Sequence, residues 1–291
     1  MLSIYPSNNT TLLLPDDFHL RYDVALVCLC LCTLFFIAVN IFAHRLGSNL
    51  IPQKIWNSLS STKKIAFGNE VGSFVHSLIV SFACLDALLY PTGNWENDRI
   101  YGASDKAAWI FSFSSAYFIV DLMYMFTGGN LNLPMLSHHL AGIAVYLTCQ
   151  SPFMQFYGVC GLLYELSTPF LTLRSMHQIL GLPKDNLIYQ SIEYSFVLTF
   201  FLCRFAFGLP ISMLAIYEGG LLAFNGNLTS PISYAILTTA NTGINCLNCW
   251  WMAKIVKMVG RNMLSKEDRL NLIPTVNNLP RGRDNPATSF Y

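Results

Sequence analysis

Charged side chains are scarce in this chain, since Asp, Glu, Lys and Arg make up only 11% of its 291 residues. Soluble domains contain roughly a quarter charged residues. The net charge of +1 gives no basic excess, which argues against a nucleic-acid-binding protein. The nine cysteines lie in or beside apolar runs, and the Cys246-x-x-Cys249 pair has no second pair with which to bind zinc. Hydrophobic residues reach 53%, so lipid is predicted to be the main solvent of this protein.

Long apolar runs set the predicted architecture, because a membrane-spanning helix needs about 20 mainly apolar residues. We predict an all-α polytopic membrane protein with about seven transmembrane helices. The predicted spans are Tyr22–Ala43, Ala66–Tyr90, Ala107–Phe126, Pro134–Ser151, Phe153–Ser175, Leu187–Ile216 and Pro231–Val259. The fourth span is short for a membrane helix, and no internal repeat is evident.

Basic residues are distributed unevenly among the predicted loops. Arg45, Lys54, Lys63 and Lys64 fall between the first two spans without an acidic residue, and the segment after the seventh span is also basic. Because Lys and Arg gather on the cytosolic side, the N-terminus is predicted to be lumenal and the C-terminus cytosolic. The glycosylation sequons at Asn8, Asn9 and Asn227 all fall on the predicted lumenal side.

These boundaries divide the chain into four parts. Residues 1–21 form a lumenal segment, and residues 22–65 form the first transmembrane helix with its basic cytosolic link. Residues 66–259 form the main transmembrane domain, and residues 260–291 form a polar cytosolic tail.

The few ionisable residues inside the predicted spans are the candidates for function, because a charge at the centre of a spanning helix costs about 2.5–3.5 kcal/mol on insertion scales. Most of these residues lie at one depth, toward the predicted cytosolic side. The candidate catalytic residues are Asp121, His138, His139 and Glu165, and the candidate substrate contacts are His76, Glu193 and Arg204.

The adjacent pair His138–His139 is the most informative feature of this group. Consecutive helical residues point about 100° apart, so one ring can act in an interior site while the other anchors a neighbouring helix. Asp121 or Glu165 is expected to orient the acting imidazole, which is a natural general base near neutral pH. An ordinary interfacial histidine pair is the alternative. A metal site is a weaker alternative, because adjacent histidines on one helix are poorly placed to bind the same metal ion.

Three segments resemble the TLC-domain family, which is named after TRAM, LAG1 and CLN8 and includes the ceramide synthases. They are AYFIVDLMY at residues 116–124, LSHHLAGI at residues 136–143 and YELSTPFLTLR at residues 164–174. The resemblance implies a barrel of transmembrane helices around a lipid-accessible cavity, in the endoplasmic reticulum or a related membrane. His138 and His139 match the histidine pair that serves acyl transfer in ceramide synthases, and Asp121 matches the acid of the family's preceding helix. The Ser-Tyr and Asn-x-x-Arg-x-Gly elements of those synthases are absent, so the chain is most similar to small TLC-domain proteins outside that branch.

The resemblance and the buried residues together predict a protein of lipid metabolism or homeostasis. The expected reaction is CoA-dependent acyl transfer to a membrane lipid, with acyl-CoA as co-substrate, no bound cofactor and no metal. The alternative is a non-catalytic lipid-sensing or lipid-binding protein with the same cavity. A seven-helix receptor is disfavoured, because Glu/Asp-Arg-Tyr and Asn-Pro-x-x-Tyr are missing from helices three and seven. A transporter is disfavoured because no paired halves are visible.

Overall fold

Every element of the described chain is helical. A computed structural model describes residues 22–128 and 132–263, so the sequons at Asn8 and Asn9 and the tail beyond residue 263 lie outside the described residues. The α-helices are α1 Tyr22–Leu50, α2 Gln53–Ser58, α3 Ser61–Leu89, α4 Asp105–Thr127, α5 Leu133–Thr148, α6 Gln155–Leu162, α7 Thr168–Ile179, α8 Leu187–Phe201, α9 Leu209–Phe224 and α10 Pro231–Met263. A 3₁₀ turn, Leu163–Ser167, joins α6 to α7, and a π-helical segment, Leu202–Gly208, joins α8 to α9.

Four helices within the described ranges are long and apolar enough to cross a membrane by length and composition: Ala25–Leu50, Ser61–Leu89, Asp105–Thr127 and Leu187–Phe224. The other three predicted spans correspond to α5, to α6 with α7, and to α10. Helix α5 is only 16 residues long, or about 24 Å, which is shorter than the roughly 30 Å hydrocarbon core. The prediction of an all-α polytopic membrane protein is confirmed.

The outer surface of this helical assembly carries large apolar side chains. Phe82 is 70% exposed and Phe224 is 89% exposed. Such exposure is unusual for a soluble protein but is natural for side chains that face lipid.

Aromatic side chains fill the centre of the assembly around α4. Phe36 of α1 is fully buried and contacts Tyr117 at 5.5 Å and Phe113 at 4.9 Å between ring centroids. The His76 ring of α3 stacks on Tyr117 at 4.0 Å. Helix α1 therefore belongs to the core and is not a detached anchor.

The fifth predicted span is broken near Pro169. A proline clashes with the carbonyl group four residues before it and lacks an N–H donor, which disfavours a continuous α-helix. The residue four positions earlier is Glu165, which lies in the 3₁₀ turn, and α7 starts immediately before Pro169. Pro169 therefore accounts for the break in this span, and the break determines where Glu165 lies.

Two loops meet at the end of the assembly that carries Asn227. The Tyr101 hydroxyl, in the α3–α4 loop, donates to the Asn227 carbonyl at 3.2 Å and accepts from the Thr229 amide at 3.0 Å. The α3–α4 and α9–α10 loops therefore lie on the same side of the protein.

The exposed side chain of Asn227 gives the first testable prediction. If this end is lumenal, we expect Asn227 to be glycosylated, and both Asn227→Gln and Thr229→Ala to remove one glycan. The measurement is the shift in gel mobility after glycosidase treatment of protein expressed in cells. If glycosidase does not change the mobility of the wild-type protein, none of Asn8, Asn9 and Asn227 carries a glycan. That result would argue against the predicted orientation.

Candidate functional site

His139 is fixed on both sides of its ring. Its Nε2 lies 2.8 Å from Oδ2 of Asp121 on α4, and its Nδ1 donates to the carbonyl group of Met135 at 2.7 Å. The side chain is only 1% exposed. Nε2 therefore faces the Asp121 carboxylate and Nδ1 faces the Met135 carbonyl, so both nitrogens of this ring already have an acceptor as a close neighbour.

His138 has a different environment, although it is the next residue on α5. Its Nε2 lies 3.9 Å from Oε1 of Glu165, and its buried Nδ1 has no hydrogen-bond partner among the described residues. The ring packs edge-on against Trp251 and Phe118, with centroid distances of 5.7 and 5.8 Å. His138 therefore differs from His139 in having a ring nitrogen with neither a hydrogen bond nor a close carboxylate among the described residues.

The 3₁₀ turn places Glu165 opposite His138. The carboxylate is buried, and its Oε2 accepts a hydrogen bond of 2.8 Å from the Thr168 hydroxyl. This bond holds one carboxylate oxygen and leaves Oε1 directed at the imidazole of His138. Glu165 thus has the position of a residue that orients His138 and balances a positive charge on it.

Two cavities meet at this point. The first, called here the polar cavity, encloses about 700 Å³ together with the space at its mouth. Its wall includes Ser73, His138, His139, Glu165, Thr168 and Arg204. The second, called the apolar cavity, encloses about 880 Å³ by the same measure and lies among α5, α6, α9 and α10. Phe118, His138 and Glu165 line both cavities, so the His138–Glu165 pair lies at their junction.

Arg204 is the cation of the polar cavity and lies in the π-helical segment. It is 5% exposed, and its guanidinium group donates to Oδ1 of Asn248 at 2.8 Å and to the Tyr164 carbonyl at 3.2 Å. The rings of Phe200 and Trp251 lie 4.9 and 5.8 Å from its central carbon. Its Nε has no hydrogen-bond partner in the described part of the chain. Arg204 is therefore buried with one donor available.

The approach of Tyr164 to the π-helical segment depends on Gly208. A Cβ atom at this position would lie 2.1 Å from Cε1 of Tyr164 and 2.7 Å from the Cys203 carbonyl oxygen. Both distances are far below van der Waals contact. The close packing of the 3₁₀ turn against Leu202–Gly208 therefore requires glycine here.

We expect Gly208→Ala to destabilise the protein by about 1–3 kcal/mol, because overpacking a tight contact costs this much. It should also displace the Tyr164 carbonyl that accepts from Arg204. The matched control is Gly243→Ala on α10, where a new Cβ would have no atom within 4 Å. Melting temperatures of both variants in detergent provide the measurement, and equal values would contradict the packing argument.

The remaining two sequence candidates lie outside the cavity walls. Oε1 of Glu193 accepts a 3.2 Å hydrogen bond from Nε of Arg174, and neither residue lines the polar or the apolar cavity. His76 is fully buried, with its Nε2 3.3 Å from the Ser114 hydroxyl. Neither position brings these side chains to the His138–Glu165 pair.

Sequence reasoning missed two residues of the site and one buried cation outside it. Asn248 and Trp251 of α10 hold Arg204, and Arg174 is buried against Glu193. Asn248 and Trp251 lie three residues apart on one face of α10, a spacing that brings side chains together on a helix. Arg174 gave no comparable signal, because its acidic partner is 19 residues later, beyond a turn.

Within residues 22–128 and 132–263, no group of three or more His, Cys, Asp or Glu side chains could hold a metal ion. The site instead contains imidazole, carboxylate and guanidinium groups around an enclosed space. Such a set can move a proton and bind a polar or anionic group beside an apolar chain.

Comparison with known proteins identifies the family. Residues 66–257 match the TLC domain of the TRAM, LAG1 and CLN8 proteins. The chain belongs to the TLC-domain family. Its similarity to TLC-domain proteins therefore covers α3 to α10, including every residue described at the two cavities. Proteins of this family are membrane proteins associated with lipid metabolism or homeostasis.

Individual TLC-domain relatives support the predicted branch. Human TLC domain-containing protein 4 is 30% identical over 213 residues, covering 69% of this chain and 77% of the human protein. TLC domain-containing protein 4-B of Xenopus laevis is 25% identical over 80% of this chain and 90% of its own length. An uncharacterized TLC domain-containing protein of Schizosaccharomyces pombe is 26% identical over 79% of this chain and 77% of its own length. The predicted resemblance to TLC proteins outside the ceramide synthases is confirmed.

Proposed function

We propose that this TLC-domain protein is a lipid acyltransferase in which His138 is the general base. The observation that carries the proposal is the position of His138, which lines both cavities and has a buried nitrogen without a hydrogen-bond partner in the described residues. A general base needs a ring nitrogen that is not already hydrogen-bonded and a ring that is held in place. Glu165, Trp251 and Phe118 surround the ring and restrict its orientation.

The proposed reaction transfers an acyl group from acyl-CoA to a hydroxyl or amine of a membrane lipid. His138 takes the proton from the acceptor as its oxygen or nitrogen forms a bond to the thioester carbonyl carbon. The carbon–sulfur bond then breaks, and the protonated imidazole returns the proton to the departing thiolate of CoA. Glu165 stabilises the transient imidazolium, and the fixed His139–Asp121 pair holds α4 and α5 together beside it.

Arg204 has a binding role in this proposal. It lines the same cavity as His138, and its Nε has no hydrogen-bond partner within residues 22–128 and 132–263, so it would hold an anionic or carbonyl group of the substrate. His138 is five residues after Leu133, the first residue of α5, which is an axial distance of about 8 Å. If this end of α5 is cytosolic, as the loop charges predict, a soluble acyl-CoA needs to insert only its acyl part. From the membership of the TLC-domain family, we infer the endoplasmic reticulum as the membrane.

The test uses the full-length protein reconstituted in lipid nanodiscs, with radiolabelled long-chain acyl-CoA. We expect label to appear in a lipid product with release of an equal amount of free CoA. The nanodisc lipids are varied between neutral, amino and hydroxylated acceptors, and empty nanodiscs provide the control. Cellular lipidomes of wild-type and null cells are compared in parallel.

The non-catalytic alternative makes a different prediction for the same preparations. A lipid-binding protein would retain lipid through purification, yet it would release no CoA and incorporate no label with any acceptor. That result would reject the acyltransferase proposal in favour of lipid sensing or binding.

A further inference from the structure

The apolar cavity has a defined end on the side opposite the catalytic candidates. Cys149, Met154 and Tyr157 line this end, whereas His138 and Glu165 line the other. Cys149 follows α5 directly and lies 11 residues after His138, which is about 16 Å along a helix. The cavity is therefore long relative to a head group, and it extends away from the predicted cytosolic face.

The end of the cavity is held by hydrogen bonds between loops and helices. The fully buried Gln155 side chain accepts from the Ser104 amide at 2.8 Å and donates to the Cys149 carbonyl at 3.0 Å. The preceding residue, Met154, has a left-handed φ of 55°, a backbone conformation that non-glycine residues adopt only when the surroundings enforce it. The Tyr157 hydroxyl donates to Glu218, whose other carboxylate oxygen lies 3.7 Å from Arg99. This end is thus a fixed floor.

Polar side chains along the wall of the apolar cavity are already bonded to protein. The Ser212 hydroxyl donates to Oδ1 of Asn241 at 2.7 Å and accepts from Asn245 at 2.6 Å. The Thr238 hydroxyl donates to the Tyr234 carbonyl at 2.8 Å. Because these groups already have partners, the wall favours an apolar occupant over a head group.

Gly161 leaves the middle of the cavity open. A Cβ atom at this position would approach only the Tyr146 hydroxyl, at 4.0 Å, and both residues line the cavity. Two other glycines of the wall differ, since a Cβ at Gly142 would press on Phe118 and one at Gly158 on Phe111, at 2.9 and 2.8 Å. A side chain added at Gly161 would therefore enter the cavity, one helical turn from Glu165.

We propose that the apolar cavity holds the acyl chain of the lipid or acyl donor and that its floor limits the length of that chain. The proposal rests on the proposed function, since the carbonyl end of the chain would lie at the His138–Glu165 junction. The terminal methyl group would point to Cys149, Met154 and Tyr157. Gly161 is the position that admits long chains, so it determines chain-length specificity.

The experiment compares wild-type protein with Gly161→Leu and with Gly243→Leu, a matched variant on α10 where added atoms meet open space. The proteins are extracted with a nanodisc-forming polymer, and mass spectrometry measures the acyl-chain lengths of retained lipids. Each added methylene that a pocket excludes changes affinity about 10–200-fold, so Gly161→Leu should lower the retained long chains at least about tenfold relative to short ones. Gly243→Leu should keep the wild-type distribution.

A second variant tests the chain-length proposal without relying on Gly161→Leu alone. Ala215 lines the cavity from α9, and Ala215→Leu narrows the same space from another wall. If Gly161→Leu fails to accumulate, Ala215→Leu is expected to give the shift to short chains. An unchanged distribution in a folded variant, verified by its melting temperature, would overturn the chain-length proposal.

The retained-lipid measurement is independent of turnover. A wild-type protein without transferase activity, combined with a clear shift in Gly161→Leu, would reject the proposed function and keep the acyl-chain cavity. The opposite result is acyl transfer by the wild-type protein together with the same chain-length distribution of retained lipids in wild type, Gly161→Leu and Ala215→Leu. That result would keep the proposed function and reject the chain-length proposal.

Discussion

Replacing His138 with glutamine is expected to lower the rate of acyl transfer by about 10²–10⁴-fold, the usual contribution of a general base. The protein itself should remain folded, because Nδ1 of His138 has no hydrogen bond among the described residues and Nε2 is 3.9 Å from Glu165. Glutamine has a similar length and retains a polar end toward that carboxylate, so little packing is lost. The measurement is the initial rate of label incorporation at saturating acyl-CoA, with melting temperatures of the same preparations.

His139→Gln is the informative comparison, since it changes the same residue type at the adjacent position. We expect this variant to lose stability first, because it breaks the contact with Asp121 and the hydrogen bond to Met135. His177→Gln, at the end of α7 and outside both cavities, should behave as wild type. The contradicting outcome is that His138→Gln keeps wild-type activity while His139→Gln is fully stable but inactive. His139 would then be the general base instead of His138.

The second large effect is expected at Asp121. Asp121→Ala leaves the 1%-exposed His139 without its partner, and breaking a buried ion pair in this way costs about 3–5 kcal/mol. The matched control is Asp86→Ala, which removes a contact of nearly equal length, 2.7 Å, between Asp86 and Lys106. The Asp86 side chain is 56% exposed, and exposed pairs typically contribute only about 0.2–1 kcal/mol.

Equilibrium unfolding in detergent measures both changes, and accumulation in cells gives a second readout. We expect a large loss for Asp121→Ala and almost none for Asp86→Ala. Equal losses would show that burial does not determine the strength of the His139–Asp121 contact. Asp121→Asn should recover much of the stability, since the amide can donate to Nε2 of a neutral His139.

Periodicity and helix geometry predicted much of the assembly from the sequence. Apolar runs identified the helices because each must satisfy its backbone inside lipid. Pro169 disfavours a continuous α-helix, and the 3₁₀ turn at Glu165 lies where the proline ring would clash. The 100° separation of adjacent residues predicted that His138 and His139 would have different environments.

The partners of those residues could not be predicted in the same way. Which histidine meets Asp121 depends on how α4 and α5 are rotated against each other, and tertiary packing sets that rotation. Asp121 contacts His139, and Glu165 faces His138. Arg204 likewise meets Asn248 across 44 residues of sequence, a contact that no local pattern encodes.

The π-helical segment affects how this sequence should be aligned with its relatives and what a deletion in it would do. A π-helix contains more residues per turn than an α-helix, and such segments commonly mark an extra residue within an otherwise regular helix. An alignment that treats Leu187–Phe224 as uninterrupted would place α8 and α9 in inconsistent registers. Deleting one residue from Leu202–Gly208 should restore regular α-helical winding and leave the faces of α8 and α9 in place, so that Ser212 keeps its contact with Asn241. A single-residue gap in this segment would therefore mark a relative that lacks the π-helical segment yet presents the same α9 side chains to the cavity.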